Sequence, residues 1–209
     1  MGNISQYLLG AIALIFIAQL VTGLDDGPIT KGFDFQPLLA FSEPWRFITS
    51  MFLHGGFTHI LFNALALFMF GMILDRKVSS RDFLIIYFGA GIIGGLLYYA
   101  TYLLGIIPPI PALGASGAIY GILGAVAILM PDLQIFFYFI PMKIRYAVIL
   151  WIAIEFMGTF DIGSGIASAA HLGGLIFGIA YGYYLKSRQQ GQAPVFVYKV
   201  DTRPSNWSD

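Results

Sequence analysis

Six uninterrupted apolar runs dominate this 209-residue chain: Tyr7 to Leu24, Phe57 to Leu74, Phe83 to Ile107, Leu113 to Met130, Tyr146 to Phe160 and Ile166 to Leu185. A helix needs about 20 apolar residues to cross a hydrocarbon core of about 30 Å. The pattern therefore predicts an all-α membrane protein with six transmembrane helices. The fifth run is short, and Leu133 to Ile140, bracketed by Pro131 and Pro141, is too brief to cross alone; it reads as an interfacial lead-in to span five. Only 11% of the residues are charged, against about 25% in soluble domains, which leaves no sizeable soluble domain. The expected division is a six-span domain over 1–185 and a polar, mobile cytoplasmic tail over 186–209. Basic and acidic residues cancel, 11 against 11, which argues against a nucleic-acid partner. The absence of cysteine excludes disulfides, thiol nucleophiles and cysteine-ligated metals.

The basic residues are unevenly distributed. On alternating sides of six spans, Arg76, Lys77, Arg81, Lys143, Arg145, Lys186, Arg188, Lys199 and Arg203 fall together, and only Lys31 and Arg46 fall opposite. Loop Lys and Arg favour the cytoplasm, so both termini are expected there, with the first, third and fifth connections outside. The sequons at Asn3 and Asn206 should then stay unmodified. No basic residue precedes the first run, so it does not read as a signal peptide, and Gln6 breaks the myristoylation pattern. The first connection, Asp25 to His54, carries Phe33, Phe35, Phe41, Trp45, Phe47 and Phe52 and is expected to lie half-sunk in the outer leaflet.

Polar groups inside spans are costly unless paired or functional. His54 and His59 stand at the start of span two, with Asn63 one turn beyond His59. Ser116 follows Pro108, Pro109 and Pro111, which cannot continue a helix, so a new helix should begin near Ala115 and leave Ser116 among unpaired backbone amides. From there to Met130 is roughly 22 Å at about 1.5 Å per residue, which sinks the serine below the outer surface. A buried hydroxyl at a helix N-terminus suits a nucleophile with an oxyanion site. The glycines around it, Gly114, Gly117, Gly121 and Gly124, would serve equally well for close helix packing, with Ser116 bonded to the backbone.

A matching base is available in His171, which shares a helix face with Gly174 and Gly178. Those glycines admit another backbone closely, and the glycine-rich start of span four is the obvious partner. His171 would then lie beside Ser116 and Tyr120, able to accept the serine proton. The nearest aspartate, Asp161, is in the fifth connection, so a two-residue Ser-His system is the economical reading. His59 and Asn63 are then oxyanion donors, or else a pair locking the first connection to span two. Glu155, late in span five, has no role that the sequence assigns; a snorkelling interfacial acid fits it better than a catalytic one.

Trp45-Arg46, the stretch from His54 through His59 to Asn63, Gly114-Ala115-Ser116-Gly117 with Tyr120 and Gly121, and Ala170-His171 with Gly174 and Gly178 together resemble the rhomboid family of intramembrane serine proteases. The resemblance runs from about Tyr7 to Leu185. It implies a rhomboid-like bundle with a short central helix starting at the nucleophile Ser116, and His171 as general base. It further implies that His59, Asn63 and the Ser116 amide bind the oxyanion, and that Tyr120 stacks on His171. Trp45 and Arg46 would brace the first connection, and His54 would support it. The fifth connection, Thr159 to Ala167, resembles the family's cap, and span five its gate. Asp75 stands where many members carry Glu, a structural contact. The implied activity is cleavage of transmembrane helices near their outer face through an acyl-enzyme, with no metal or cofactor, in what resembles a prokaryotic cell membrane. The rival readings are a pseudoprotease that binds membrane clients, and a proton-coupled carrier using His54, His59, Glu155 and His171 as a relay.

Overall fold

A computed structural model describes residues 3–137, 139–161 and 167–191. The chain runs through α1 (Ile4–Thr22), the short helices α2 (Pro28–Phe33) and α3 (Arg46–Thr49), then α4 (Phe57–Ala66), a π-turn (Leu67–Gly71) and α5 (Met72–Asp75) as one continuous rod. It continues through α6 (Ser80–Leu103), α7 (Ser116–Leu129), strands β1 (Gln134–Phe137) and β2 (Ile140–Lys143), α8 (Ile144–Gly158) and α9 (Ser168–Gly191). Three stretches, Ile4–Thr22, Phe57–Asp75 and Ser80–Leu103, are long and apolar enough to cross a membrane, and Ser116–Leu129 is a shorter apolar helix. Each of the six apolar runs lies largely on one of the long helical stretches.

Helix α7 sits at the centre, with ten of its 14 residues buried. Missing side chains explain how tightly it is held. A Cβ on Gly174 would fall on the Gly117 carbonyl and one on Gly178 on the Gly121 carbonyl, while one on Gly124 would lie 2.6 Å from the Leu175 oxygen. Helix α6 closes on α9 in the same way, since a Cβ on Gly94 would meet the Ala170 oxygen at 2.5 Å. Without a hydrophobic drive between helices in lipid, such close backbone approach supplies the packing energy. Helix α1 leans on the π-turn, where a Cβ on Gly71 would come within 2.8 Å of Ser5 Cβ. The buried Asp75 carboxylate accepts from the Ser5 amide at 2.9 Å and its hydroxyl at 2.5 Å. An anion there satisfies an orphan amide and favours the positive end of the helix dipole.

The first connection has its own small core of Phe35, Ala40, Phe47 and Tyr98, shared with Ala169. Beside it the buried Arg46 donates from Nη1 to the Asp34 carboxylate (2.9 Å) and the Asp34 carbonyl (2.8 Å), and from Nε to Glu43 (2.6 Å). Burial pushes the Asp34 carboxyl up from 3.8, against the pull of its Gln36 hydrogen bond and of Arg46. Trp45 stays half exposed. Two backbone links tie this connection to the segment before α7: Phe35 and Ala112 exchange hydrogen bonds of 2.8 Å, and the Gly114 amide donates to the Ser50 carbonyl at 2.9 Å.

Two expectations change. The stretch expected as a lead-in contributes Gln134–Phe137 to an antiparallel pair with Ile140–Lys143, Gln134 opposite Lys143 and Phe137 opposite Ile140. Proline cannot donate within a ladder, but at the start of an isolated two-strand ribbon its missing N–H is harmless, so Pro141 sits inside β2. The helix at the other end does not stop at Leu185. Lys186, Arg188, Gln189 and Gln190 are good helix formers and carry α9 to Gly191, so the first part of the expected tail is helical. The remainder of that tail, 192–209, and much of the expected cap, 162–166, lie outside the described residues.

Candidate active site

The site forms where the first turns of α7 and α9 meet the last turn of α8. Ser116 is the first residue of α7, because the preceding prolines leave the backbone extended and Gly114 turns it with φ +125°, a left-handed value costly for other residues. His171 lies in the first turn of α9, brought against α7 by the Gly174 and Gly178 contacts. Across that seam His171 Nε2 is 2.7 Å from Ser116 Oγ. The Tyr120 ring, one turn below Ser116, stacks on the imidazole with centroids 4.5 Å apart and planes 7° from parallel.

His59 stands opposite. Its Nδ1 accepts from the Gly55 amide at 3.3 Å, and its Nε2 points at the space above Gly114. A Cβ there would lie 2.8 Å from His59 Nε2 and 3.7 Å from Ser116 Oγ. That glycine therefore leaves open a position between a ring nitrogen and the hydroxyl. Asn63 is nearly buried, donates its side-chain amide to the His59 carbonyl at 2.9 Å, and faces the same space. This contact lies within α4 and does not itself tie the first connection to span two.

A cavity of about 880 Å³ lies over the serine, lined by Asp25, His59, Asn63, Ser116 and His171 and continuing down between Phe62, Ala66 and Phe70 on one side and Trp151 and Gly158 on the other. Other expected supporting residues lie away from it. His54 is fully buried outside the cavity, its amide donating to the Gln19 side-chain oxygen at 3.0 Å and its ring edge-on to His59. Neither His54 ring nitrogen has a hydrogen-bond partner among the described residues. Trp45 and Arg46 belong to the first connection, and Gly117 is in the α7–α9 seam. Among the described residues no cluster of His, Asp or Glu could hold a metal ion.

Glu155 does not snorkel. It is 6% exposed, accepts a hydrogen bond from the Tyr120 hydroxyl, is hydrogen-bonded to Ser168, and places Oε2 3.1 Å from His171 Nδ1. The approach to Nδ1 is oblique, close enough for an ion pair but off the line of an N–H donor. A signal for it was present in the chain. An acid inside an apolar run needs a partner, and with alternating helices the last turn of span five shares its level with the first turns of spans four and six.

Comparison with known proteins identifies the family. The Rhomboid domain profile matches residues 42–188. The chain is 31% identical to the rhomboid protease GlpG of Haemophilus influenzae over 190 residues, covering 87% of this chain and 90% of that one. It is 36% identical to the rhomboid protease GluP of Bacillus subtilis over 142 residues, 68% of this chain and 26% of GluP. With YdcA of the same organism it shares 44% identity over 86 residues, 41% of either chain. The chain thus spans less than half the length of the two Bacillus relatives. By the length of the profile match and the full-length similarity to GlpG, the chain belongs to the rhomboid family.

Proposed function

We propose that this protein is an intramembrane serine endopeptidase that cleaves transmembrane helices of other proteins near their outer face, with Ser116 as nucleophile and His171 as general base. The observation that carries the reading is the 2.7 Å contact between Ser116 Oγ and His171 Nε2 at the wall of an open cavity. All six long helical stretches cross the bilayer, both termini are cytoplasmic, and the site opens outward. A substrate helix enters between α4 and α8 and unwinds, because helical carbonyls are already hydrogen-bonded and shielded. Gly or Pro near the cut and a small residue at it favour cleavage.

Ser116 Oγ attacks the scissile carbonyl as its proton passes to His171 Nε2, and the carbonyl electron pair collects on oxygen. His59, Asn63 and the Ser116 amide stabilise that oxyanion in the space above Gly114. The Nε2 proton then goes to the leaving amine as the C–N bond breaks. Water from the outer side repeats the sequence on the acyl-enzyme and returns the proton to Oγ. Tyr120 holds the imidazole in plane. Residues 1–185 carry this chemistry in a membrane of prokaryotic type, with lipid around the helices.

The test is reconstitution in liposomes with a labelled single-span reporter carrying a helix-destabilising Gly. Wild type should cut it, and Ser116→Ala should reduce the rate by about 10³-fold or more. A wild type that binds but never cuts such reporters would make the protein a client-binding pseudoprotease. Equal cutting by Ser116→Ala would overturn the nucleophile.

A further inference from the structure

We infer that Glu155 is a positioning residue for His171, so that the site works as a Ser116, His171, Glu155 relay rather than as a pair. The inference rests on the protease reading above. Glu155 is buried on α8, with one carboxylate oxygen held by the Tyr120 hydroxyl and the other 3.1 Å from His171 Nδ1. Ser168, at the start of the helix that carries His171, is hydrogen-bonded to the same carboxyl. The end of α8 is itself close to that start, since a Cβ on Gly158 would lie 2.5 Å from Ser168 Oγ. A carboxylate held from two helices beside one imidazole nitrogen is oriented by its surroundings and can orient the ring in turn.

The chemical consequence follows from the two ring nitrogens. For His171 to accept the serine proton, Nε2 must carry the lone pair and Nδ1 the hydrogen. A carboxylate beside Nδ1 can only accept, so it selects that tautomer. When Ser116 Oγ bonds to the substrate carbon, its proton moves to Nε2 and the ring becomes imidazolium. The negative carboxylate stabilises that charge without taking a proton. Nε2 then gives its proton to the leaving amine and the ring returns to the starting tautomer. Contacts of this kind are often poorly aligned before substrate binds and straighten in the reacting complex, which accounts for the oblique approach seen here. Tyr120 gains a second role: besides stacking on the ring, its hydroxyl fixes the carboxylate.

Glu155→Gln separates this role from a purely structural one. The amide keeps the shape and the Tyr120 hydrogen bond, but its NH₂ can donate to Nδ1, which favours the tautomer with the proton on Nε2, facing Ser116 the wrong way. In full-length protein in liposomes, kcat for reporter cleavage should fall by about 10²-fold, with KM within about 2-fold. Labelling of Ser116 by a fluorophosphonate probe should slow in parallel. Glu155→Asp keeps the charge and should recover about a tenfold part of the loss. The chain has three histidines, so ¹⁵N spectra of histidine-labelled protein can report the His171 tautomer. The proton is expected on Nδ1 in the wild type and on Nε2 in Glu155→Gln. An unchanged tautomer, a kcat within about 2-fold of wild type, or equal losses in the Gln and Asp variants with a lowered Tm would overturn the inference. If Ser116→Ala is inactive while Glu155→Gln is normal, only this inference fails; if Ser116→Ala is active, the protease reading fails first.

Discussion

Two buried ionic clusters in this molecule invite comparison. In the first connection the buried Arg46 meets the buried Asp34 and the partly exposed Glu43, with a guanidinium donor also given to the Asp34 carbonyl. At the ends of α8 and α9, Glu155 meets Tyr120, Ser168 and His171, and the cluster faces a cavity through His171 and Ser116. Both take charge out of water, which is costly unless compensated. The first gives the Arg46 Nε and Nη1 donors to Glu43, Asp34 and backbone carbonyls of the same connection, which fits a clamp. The second leaves its last member, the serine hydroxyl, open to an incoming group. A buried ionic cluster that ends on a cavity is where chemistry is to be sought.

Experiments can break that contrast from its strongest side. Removing the open cluster's base should cost most: His171→Ala should lower reporter cleavage by about 10³-fold or more while Tm in detergent moves little. Retained cleavage would remove the functional side of the comparison. Next, Arg46→Met should leave the buried Asp34 carboxylate without its cation and cost about 3 kcal/mol of stability, measured by thermal denaturation in micelles. At a temperature where it stays folded, its kcat should be near wild type. A large kcat loss without destabilisation would mean the clamp is not merely structural. Asn63→Ala tests the oxyanion wall between the two: kcat should fall by about 10²-fold with KM little changed, and an unchanged kcat would leave Asn63 only its bond to the His59 carbonyl.

The smallest effect belongs to a third, fully exposed cluster. Asp132 contacts Lys143 and Arg145 beside the β1–β2 hairpin. Its hydrogen bond with Lys143 first, and the neighbouring positive charges, hold its pKa below 3.8. A lowered folded value means that its contribution is complete above the unfolded value of 3.8 and is lost only as pH falls through the lower folded one. Between pH 5 and pH 7 no change from this group is expected. Surface pairs contribute little, so Asp132→Asn should leave Tm and cleavage unaltered, and a clear loss of either would give the hairpin a role that its exposure does not suggest.

Much of this contrast is already written in the chain. The prolines before Ser116 place it at a helix start, and the spacing of His171, Gly174 and Gly178 puts a base on a face that other backbones can approach. Arg46 lies in a connection rich in aromatics, but nothing in its neighbourhood pairs it with Asp34, 12 residues earlier. The hairpin after α7 was hidden because Pro131 and Pro141 break an apolar segment whose backbone then pairs with itself. Glu155 has no legible role in the chain for a different reason. Counting from its own helix it is merely late, whereas its neighbours come from α7 and α9.

Sequence alone determined the membrane character, the helix boundaries around the polar residues and the candidate Ser116 and His171, because apolar length, proline and glycine act within a few residues of themselves. Tertiary structure alone decided the 2.7 Å approach of hydroxyl to imidazole, the closed Arg46 cluster and the burial of Glu155 against His171. The first and last depend on how far close contacts let α7, α8 and α9 approach one another, and the Arg46 cluster on how the first connection folds back on itself; neither is a property of any one short segment.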